Sequence, residues 1–176
     1  MAEPCPEIAD LPELLAHALE LEHAAAARYR QLADSLLVHH NYQVADLFRQ
    51  LAARTEERAA LIASRAHGVK LPAIAPWDFQ WNDPDSPKTG SMLDLAIGYQ
   101  MNLQQALRFA LKQEIQGHAF YTRIATCVDA TEVRILAADL SAAQREHISW
   151  VKDRLEQIGP RVEKPLEDLD PPNVPE

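Results

Sequence analysis

Apolar residues recur at intervals of three and four along most of the chain, which is the pattern of amphipathic helices. The first such stripe consists of Leu14, Ala18, Leu21, Ala25, Tyr29, Leu32 and Leu36. Asp10 and Glu13 fit an N-cap and its capping-box partner, so the first helix is predicted from this cap to about Val38. A second stretch predicts a helix from about Gln43 to Ala66, with Gly68 as its C-cap.

The second half of the chain repeats this organisation. A third helix is predicted from about Met92 to Val128, and a fourth from Thr131 to near Gly159. The intervening residues 68–91 carry prolines and no helical period. Their aromatic side chains predict a crossover packed against the helices through Trp77, Phe79 and Trp81.

The predicted fold class is therefore all-α, a four-helix bundle of two helical hairpins joined by a long crossover. Only five glycines occur in 176 residues, as expected for a chain that is mostly helical. The bundle is predicted to occupy residues 10–158 as one domain. Residues 159–176 form an acidic, proline-rich tail that we expect to be mobile or draped over the surface.

The first helices of the two hairpins carry the same motif. Ala-Leu-x-x-Glu ends at Glu22 in one and at Glu114 in the other, and a tyrosine follows seven residues later at Tyr29 and Tyr121. Both glutamates lie on apolar stripes, so we expect them to point into the bundle. The alternative is that they lie on solvated helix faces.

The second helices of the hairpins also correspond. In α-helical register, Leu51-Ala52 is followed by Thr55 and Arg58. Leu140-Ser141 is followed at the same spacing by Gln144 and His147. The halves are 92 residues apart at the glutamates and 89 apart at Arg58 and His147. A turn shorter by three residues in the second half is predicted to account for the difference.

Through these motifs, residues 10–158 resemble the rubrerythrin family of the ferritin-like di-iron carboxylate proteins. In that family each half supplies a glutamate from its first helix and a Glu-x-x-His pair from its second, and together they hold two irons. The resemblance implies ferritin-like connectivity, iron as cofactor, oxidoreductase activity toward peroxide or oxygen, and pairing into a homodimer.

Residue by residue, the resemblance places Glu22, Glu114 and His147 at ligand positions. The remaining ligand positions are altered. Thr55 and Gln144 stand where the family has glutamate, Arg58 stands where it has histidine, and Gly117 stands where it has an additional carboxylate. No rubredoxin-type cysteine module follows the bundle. The sequence thus indicates a degenerate di-iron site.

Arg58 suggests what replaced the metal. It lies on the inward face of its helix together with Thr55, and we expect these two residues to take part in an ion pair that substitutes for the metal. A guanidinium held between Glu22 and Glu114 would supply the positive charge of the lost metal and keep both carboxylates ionised. We therefore expect a protein that is non-catalytic or only partly metal-binding, with no cofactor.

Two other interpretations remain open. A single divalent metal, such as iron, could be held by Glu114, His118 and His147 with Gln144 nearby, because Glu and His four residues apart on a helix share a face. The protein would then be a metal-dependent oxidoreductase or a metal sensor. Alternatively, His147 is a core histidine bonded to a neighbour, and the two tyrosines only fill the core.

Composition restricts the partners and the compartment. A formal charge of −9 and a pI near 5.2 argue against nucleic acid and anionic membranes as partners. Cys5 and Cys127 are far apart in sequence, so we expect no disulfide, and Cys127 is interpreted as a small buried hydrophobe. With no leader-like or membrane-spanning apolar run, a cytoplasmic location is predicted. A protein partner is expected to bind through the crossover or the tail.

Overall fold

The computed structural model of the chain describes residues 5–80 and 100–159, which contain four α-helices and no strand. The helices are α1 (Leu11–Val38), α2 (Tyr42–Arg65), α3 (Leu103–Cys127) and α4 (Thr131–Ile158). The predicted all-α class is confirmed. None of the described helices is both long enough and apolar enough to cross a membrane.

The ends of the helices follow from local hydrogen bonds. Asp10 caps α1, since its Oδ1 accepts from the backbone N–H of Glu13 at 2.9 Å. Asn102 and Gln105 form a complete capping box at the start of α3. Gly159, with φ of 70°, follows the end of α4, where a left-handed backbone suits glycine.

Two predicted boundaries need correction. The helix predicted from Met92 does not extend through residues 100–102, because the Asn102 capping box sets its start at Leu103. Residues 92–99 lie outside the described residues. The cap of α2 is Ala66, and Gly68 takes its positive φ of 76° in the turn that follows.

The three-residue difference between the halves lies in the helices and not in the turns. Residues 39–41 and 128–130 connect the helices of the two hairpins, so the turns are equally long. α1 ends at Val38, 16 residues after Glu22, whereas α3 ends at Cys127, 13 residues after Glu114. The expectation of a shorter second turn was wrong.

Two apolar clusters define the direction of the helices. One contains the end of α1, the start of α2, the start of α3 and Val151 near the end of α4. The other contains the start of α1, the end of α2, the end of α3 and the start of α4. Each hairpin is therefore antiparallel, α2 and α3 run parallel, and the end of α2 lies at the opposite end of the bundle from the start of α3.

The described start of this connection packs against the bundle only in part. Val69 and Leu71 contact the second apolar cluster, and the Phe79 ring stands edge-on to His17 at 5.3 Å between centroids. Trp77 is 78% exposed, so the prediction that it packs against the helices was wrong. Trp81 lies outside the described residues, as does the predicted tail after Gly159.

The two cysteines form a disulfide, which corrects the expectation that the chain has none. Cys5 and Cys127 are joined with their Cα atoms 6.0 Å apart, and both residues are exposed. Cys127 is thus not a buried hydrophobe. The cytoplasmic location stays a prediction, but without the support that the cysteines gave it, because disulfides are rare in reducing compartments.

Candidate functional site

A layer of buried polar side chains separates the two apolar clusters. Every helix contributes to it, and each contributor lies on the apolar stripe of its helix, as the helical period predicts. Its members are the buried residues Glu22 of α1, Thr55 and Arg58 of α2, Glu114 of α3 and Gln144 of α4. Polar groups are costly to bury unless they are paired, so their partners decide what this layer can do.

Arg58 lies between the two repeat-related glutamates and binds both. Its Nε and Nη2 both contact Oε2 of Glu22, at 2.9 and 2.8 Å. Its Nη1 donates to Oε2 of Glu114 at 2.9 Å. The planar guanidinium thus joins α1, α2 and α3 through charge-assisted hydrogen bonds, with Arg58 itself 8% exposed.

The remaining oxygen of Glu114 is also engaged. The hydroxyl of Tyr29 donates to Oε1 of Glu114 at 3.2 Å, so the tyrosine of the first hairpin is hydrogen-bonded to the glutamate of the second. Tyr121 occupies the equivalent place in the other half and is fully buried. Its hydroxyl has no hydrogen-bond partner among the described residues. The repeat is symmetric in sequence but not in hydrogen bonding.

The cluster contains two carboxyl groups, those of Glu22 and Glu114, but only one cation, Arg58. Burial raises the pKa of Glu22 to about 7, although the attraction of Arg58 opposes this shift. Burial lowers the pKa of Arg58, but Glu22 and Glu114 raise it further, so it stays protonated. One guanidinium can neutralise only one carboxylate, and a proton on Glu22 would neutralise the other. The expectation that Arg58 keeps both glutamates fully ionised does not hold at Glu22 near neutral pH.

His147 lies beside this cluster in a neutral form. Its Nδ1 is 3.8 Å from Oε2 of Glu114, which is too long for a hydrogen bond. Burial lowers the pKa of His147 to about 3, and the positive charges of Arg58 and Arg54 contribute to the shift. At neutral pH the imidazole is therefore uncharged, and it is not an ion-pair partner of Glu114.

Thr55 and Gln144 do not join the ion pair. The Thr55 hydroxyl donates to the backbone carbonyl of Leu51 at 2.9 Å, within its own helix. Gln144 reaches toward α3, where a Cβ added at Gly117 would collide with its Nε2. The amide of Gln144 therefore fills the space in which the resemblance places a carboxylate at position 117.

His118 lies apart from the cluster. It is only partly buried, and burial together with the charge of Arg145 lowers its pKa. In residues 5–80 and 100–159 no three His, Cys, Asp or Glu side chains are grouped closely enough to hold a metal ion. The set Glu114, His118 and His147 is thus not assembled as a ligand group in this structure.

The donor set does not fit a pair of irons. Oε2 of both glutamates is bonded to a permanent cation, and Oε1 of Glu114 accepts from Tyr29. Gln144 and Thr55 bring no negative charge. A di-iron centre needs several anionic oxygen ligands and no competing cation, so iron could enter only by displacing Arg58.

A small cavity lies beside the cluster. Its volume is about 80 Å³, and Glu22 and Arg58 form part of its lining with the apolar side chains of Leu61, Ile62, Leu140 and Ala143. Arg65 and Asp139 also line it and are bonded to each other at 3.2 Å. The ion pair therefore borders a cavity on one side of the bundle.

Sequence reasoning placed Glu22, Arg58 and Glu114 on inward faces, and the structure brings these three together. It missed the Tyr29 hydrogen bond, which crosses from one half to the other, and the Gln144 side chain against Gly117. The contact between Gln144 and Gly117 had a signal in the sequence. A glycine in the middle of a buried helix face indicates that another side chain packs closely against the backbone there.

Comparison with known proteins gives one informative result. No protein-family model matches the sequence, and no curated protein matches it. The crystal structure of COG1633, an uncharacterized conserved protein from Magnetospirillum magnetotacticum MS-1, is similar to this chain with a TM-score of 0.65 and 33% sequence identity. The alignment covers 85% of this chain and 95% of that one. At this identity and coverage, the chain belongs to the COG1633 family of conserved proteins.

Proposed function

We propose that this protein is a rubrerythrin-like, ferritin-fold bundle in which an internal ion pair has replaced the di-iron site. The protein is non-catalytic at that site and acts through its surface. The observation that carries this proposal is that Arg58 donates to both repeat-related carboxylates, Glu22 and Glu114. The resemblance places the two irons between these carboxylates.

The charges support the replacement. Two buried carboxylates that face each other repel, and without a cation they would take up protons or destabilise the fold. An arginine supplies one positive charge that no physiological pH removes, and its flat fork of donors matches carboxylate oxygens. It holds α1, α2 and α3 together as a metal would, but it cannot cycle between oxidation states.

The substitutions around Arg58 agree with one another. Thr55 satisfies its hydroxyl within α2, which leaves room for the arginine side chain. Gln144 replaces an anionic ligand by a neutral amide, and that amide fills the space over Gly117. Loss of one ligand alone would be an isolated change. Thr55, Arg58, Gly117 and Gln144 are all altered, and we infer that their packed arrangement excludes metal.

The surface offers a place for partner contact. Trp77, in the described start of the crossover, is 78% exposed, and large exposed aromatic side chains are enriched in protein interfaces. We propose that a protein partner or a second copy of the chain binds through the crossover, the homodimer being what the family resemblance implies.

The test is elemental analysis after anaerobic loading with ferrous iron and desalting. We expect no retained iron in the wild-type protein. We expect iron to be regained in a variant that restores three of the four altered ligands, Thr55→Glu, Arg58→His and Gln144→Glu. The matched control is Thr55→Gln with Arg58→Asn, which removes the cation without adding ligands and should stay free of iron.

Other outcomes would contradict the proposal. About two irons per wild-type chain would restore the interpretation as an iron-dependent oxidoreductase. One metal per chain, lost on His147→Ala, would favour the mononuclear site in the second hairpin.

A further inference from the structure

The Cys5–Cys127 disulfide lies at the end of the bundle where α3 stops. It joins residues separated by 122 positions in sequence. Cys127 is the last residue of α3, and Cys5 precedes α1 by a short segment, residues 5–10. Both cysteines are exposed, so a dissolved thiol can reach the sulfur atoms. Neither cysteine takes part in the Arg58 cluster.

Segment 5–10 forms a bridge between the bundle and the start of the crossover. Ile8 is buried in the second apolar cluster with 5% exposure. The backbone N–H of Glu7 donates to Oε1 of Gln80 at 2.8 Å, and Nε2 of Gln80 donates to the carbonyl of Glu7 at 3.1 Å. Val69 and Leu71 of the crossover cover the same apolar cluster.

These contacts are weak without the covalent link. The two hydrogen bonds to Gln80 are exposed, so water competes for both groups. Only two side chains of the segment, Pro6 and Ile8, are buried, and their burial has to offset the conformational entropy of ordering the segment. The disulfide changes this balance, because it holds the segment at the end of α3 even when the weaker contacts open.

We propose that the Cys5–Cys127 disulfide is a reversible redox clasp, which low-molecular-weight thiols or dithiol reductants open. Exposed disulfides are in general the labile ones, whereas structural disulfides resist reduction by the glutathione pool. Opening releases segment 5–10 and loosens residues 69–80, so that the apolar end of the bundle beneath Ile8 becomes accessible.

The chemistry of opening is thiol–disulfide exchange. A thiolate of the reductant attacks one cysteine sulfur, the Cys5–Cys127 bond breaks, and a mixed disulfide forms while the other cysteine leaves as a thiolate. A second thiol of the reductant then resolves the mixed disulfide. The reductant is oxidised to its disulfide, and two electrons and two protons are transferred to the cysteine pair.

The test combines thiol trapping with hydrogen exchange of the full chain in glutathione buffers of graded ratio. We expect the pair to change between disulfide and thiols within this range. In the reduced protein, peptides covering residues 5–10 and 69–80 should exchange at least ten times faster, and α2 peptides should not change. Cys5→Ser and Cys127→Ser variants should exchange like the reduced protein in every buffer.

Two outcomes would overturn the proposal. If the disulfide persists at every glutathione ratio, it is a static cross-link. If it is reduced but exchange in both segments is unchanged, the contacts of Ile8 and Gln80 suffice and there is no clasp. Iron binding at the Arg58 cluster is measured separately, so failure here leaves the proposed function standing, and the reverse also holds.

Discussion

The two helical hairpins place side chains at corresponding positions in the centre of the bundle, but those side chains differ in charge. The first hairpin contributes Glu22 and Arg58, and the second contributes Glu114 and His147 at the corresponding positions. Arg58 is charged and bonds both glutamates, whereas His147 is neutral and bonds neither.

This difference shows how a repeated fold can lose its symmetry without losing its core. The cation, Arg58, comes from the first hairpin only, and it donates to the carboxylates of both hairpins. The tyrosines diverge in the same way, since Tyr29 donates to Glu114 while Tyr121 has no partner in the described residues. The five predictions that follow ask whether the halves differ in energy as they differ in structure.

The largest expected effect is at Arg58. Arg58→Met leaves two buried carboxylates without a cation, and we expect it to lower the free energy of unfolding by about 3–5 kcal/mol. Urea denaturation measures this loss. Arg65→Met is the matched control on the same helix, because Arg65 is half-exposed in its bond to Asp139 and should cost at most about 1 kcal/mol. Equal losses at the two arginines would contradict the buried ion pair.

The next effect concerns pH. The native pKa of Glu22 is raised to about 7, so between its ordinary value and pH 7 the folded protein binds more protons than the unfolded chain. Stability from this group is therefore fully present at low pH and falls by about 3 kcal/mol as pH rises from about 4.5 to 7. Glu22→Gln should abolish this fall in urea titrations between pH 5 and pH 8.

His147 acts with the opposite sign at acid pH. Its native pKa is lowered to about 3, so the unfolded chain binds more protons between that value and its ordinary one, and stability increases as pH rises through this range. His147→Asn should remove this rise, and because the rise overlaps the Glu22 range between about pH 4.5 and 6.5, the fall caused by Glu22 should become steeper there. The two groups thus act with opposite signs over overlapping ranges. A fall near pH 7 that disappears in His147→Asn would contradict the assignment to Glu22.

A smaller effect distinguishes the tyrosines. Tyr29→Phe removes a hydrogen bond to a carboxylate, and we expect a loss of about 1–2 kcal/mol. Tyr121→Phe removes a buried hydroxyl that has no partner among the described residues, so it should be neutral or slightly stabilising. Thermal unfolding of the two variants measures the difference. Equal losses would mean that the two halves are bonded alike.

The smallest effect is a coupling between Gly117 and Gln144. Alanine in place of a helical glycine gains up to about 1 kcal/mol, but at position 117 its Cβ would collide with the buried amide of Gln144. We expect Gly117→Ala to stabilise the protein only in a Gln144→Ala background. A double-mutant cycle measures the coupling, and additive effects would show that Gln144 moves aside freely.

The helical period made much of this structure predictable. It placed the four helices, and it put Glu22, Arg58 and Glu114 on buried faces, because those properties depend on residues three or four positions apart. The start of α3 was misplaced because apolar spacing continues before Leu103, whereas the Asn102 capping box sets the boundary. Local side-chain hydrogen bonds outweighed the pattern there.

Features that depend on distant residues were not predictable from pattern. The disulfide joins positions 122 apart, and spacing alone says nothing about such a pair in a folded chain. Thr55 was expected beside Arg58 in the ion pair, but its hydroxyl found a nearer acceptor in α2. The raised pKa of Glu22 reflects burial together with the charges of Arg58 and Glu114, and these act on Glu22 only when the helices are packed.

The most direct test of the charge replacement is a stability cycle in which charge is removed from both sides of the ion pair. The four proteins are wild type, Arg58→Met, the double variant Glu22→Gln with Glu114→Gln, and the combination of all three changes. If Arg58 replaces metal charge, the combined variant should recover at least half of the stability that Arg58→Met alone loses, since neutral amides do not repel each other. If its loss equals the sum of the separate losses, Arg58 only fills space and the central claim is wrong.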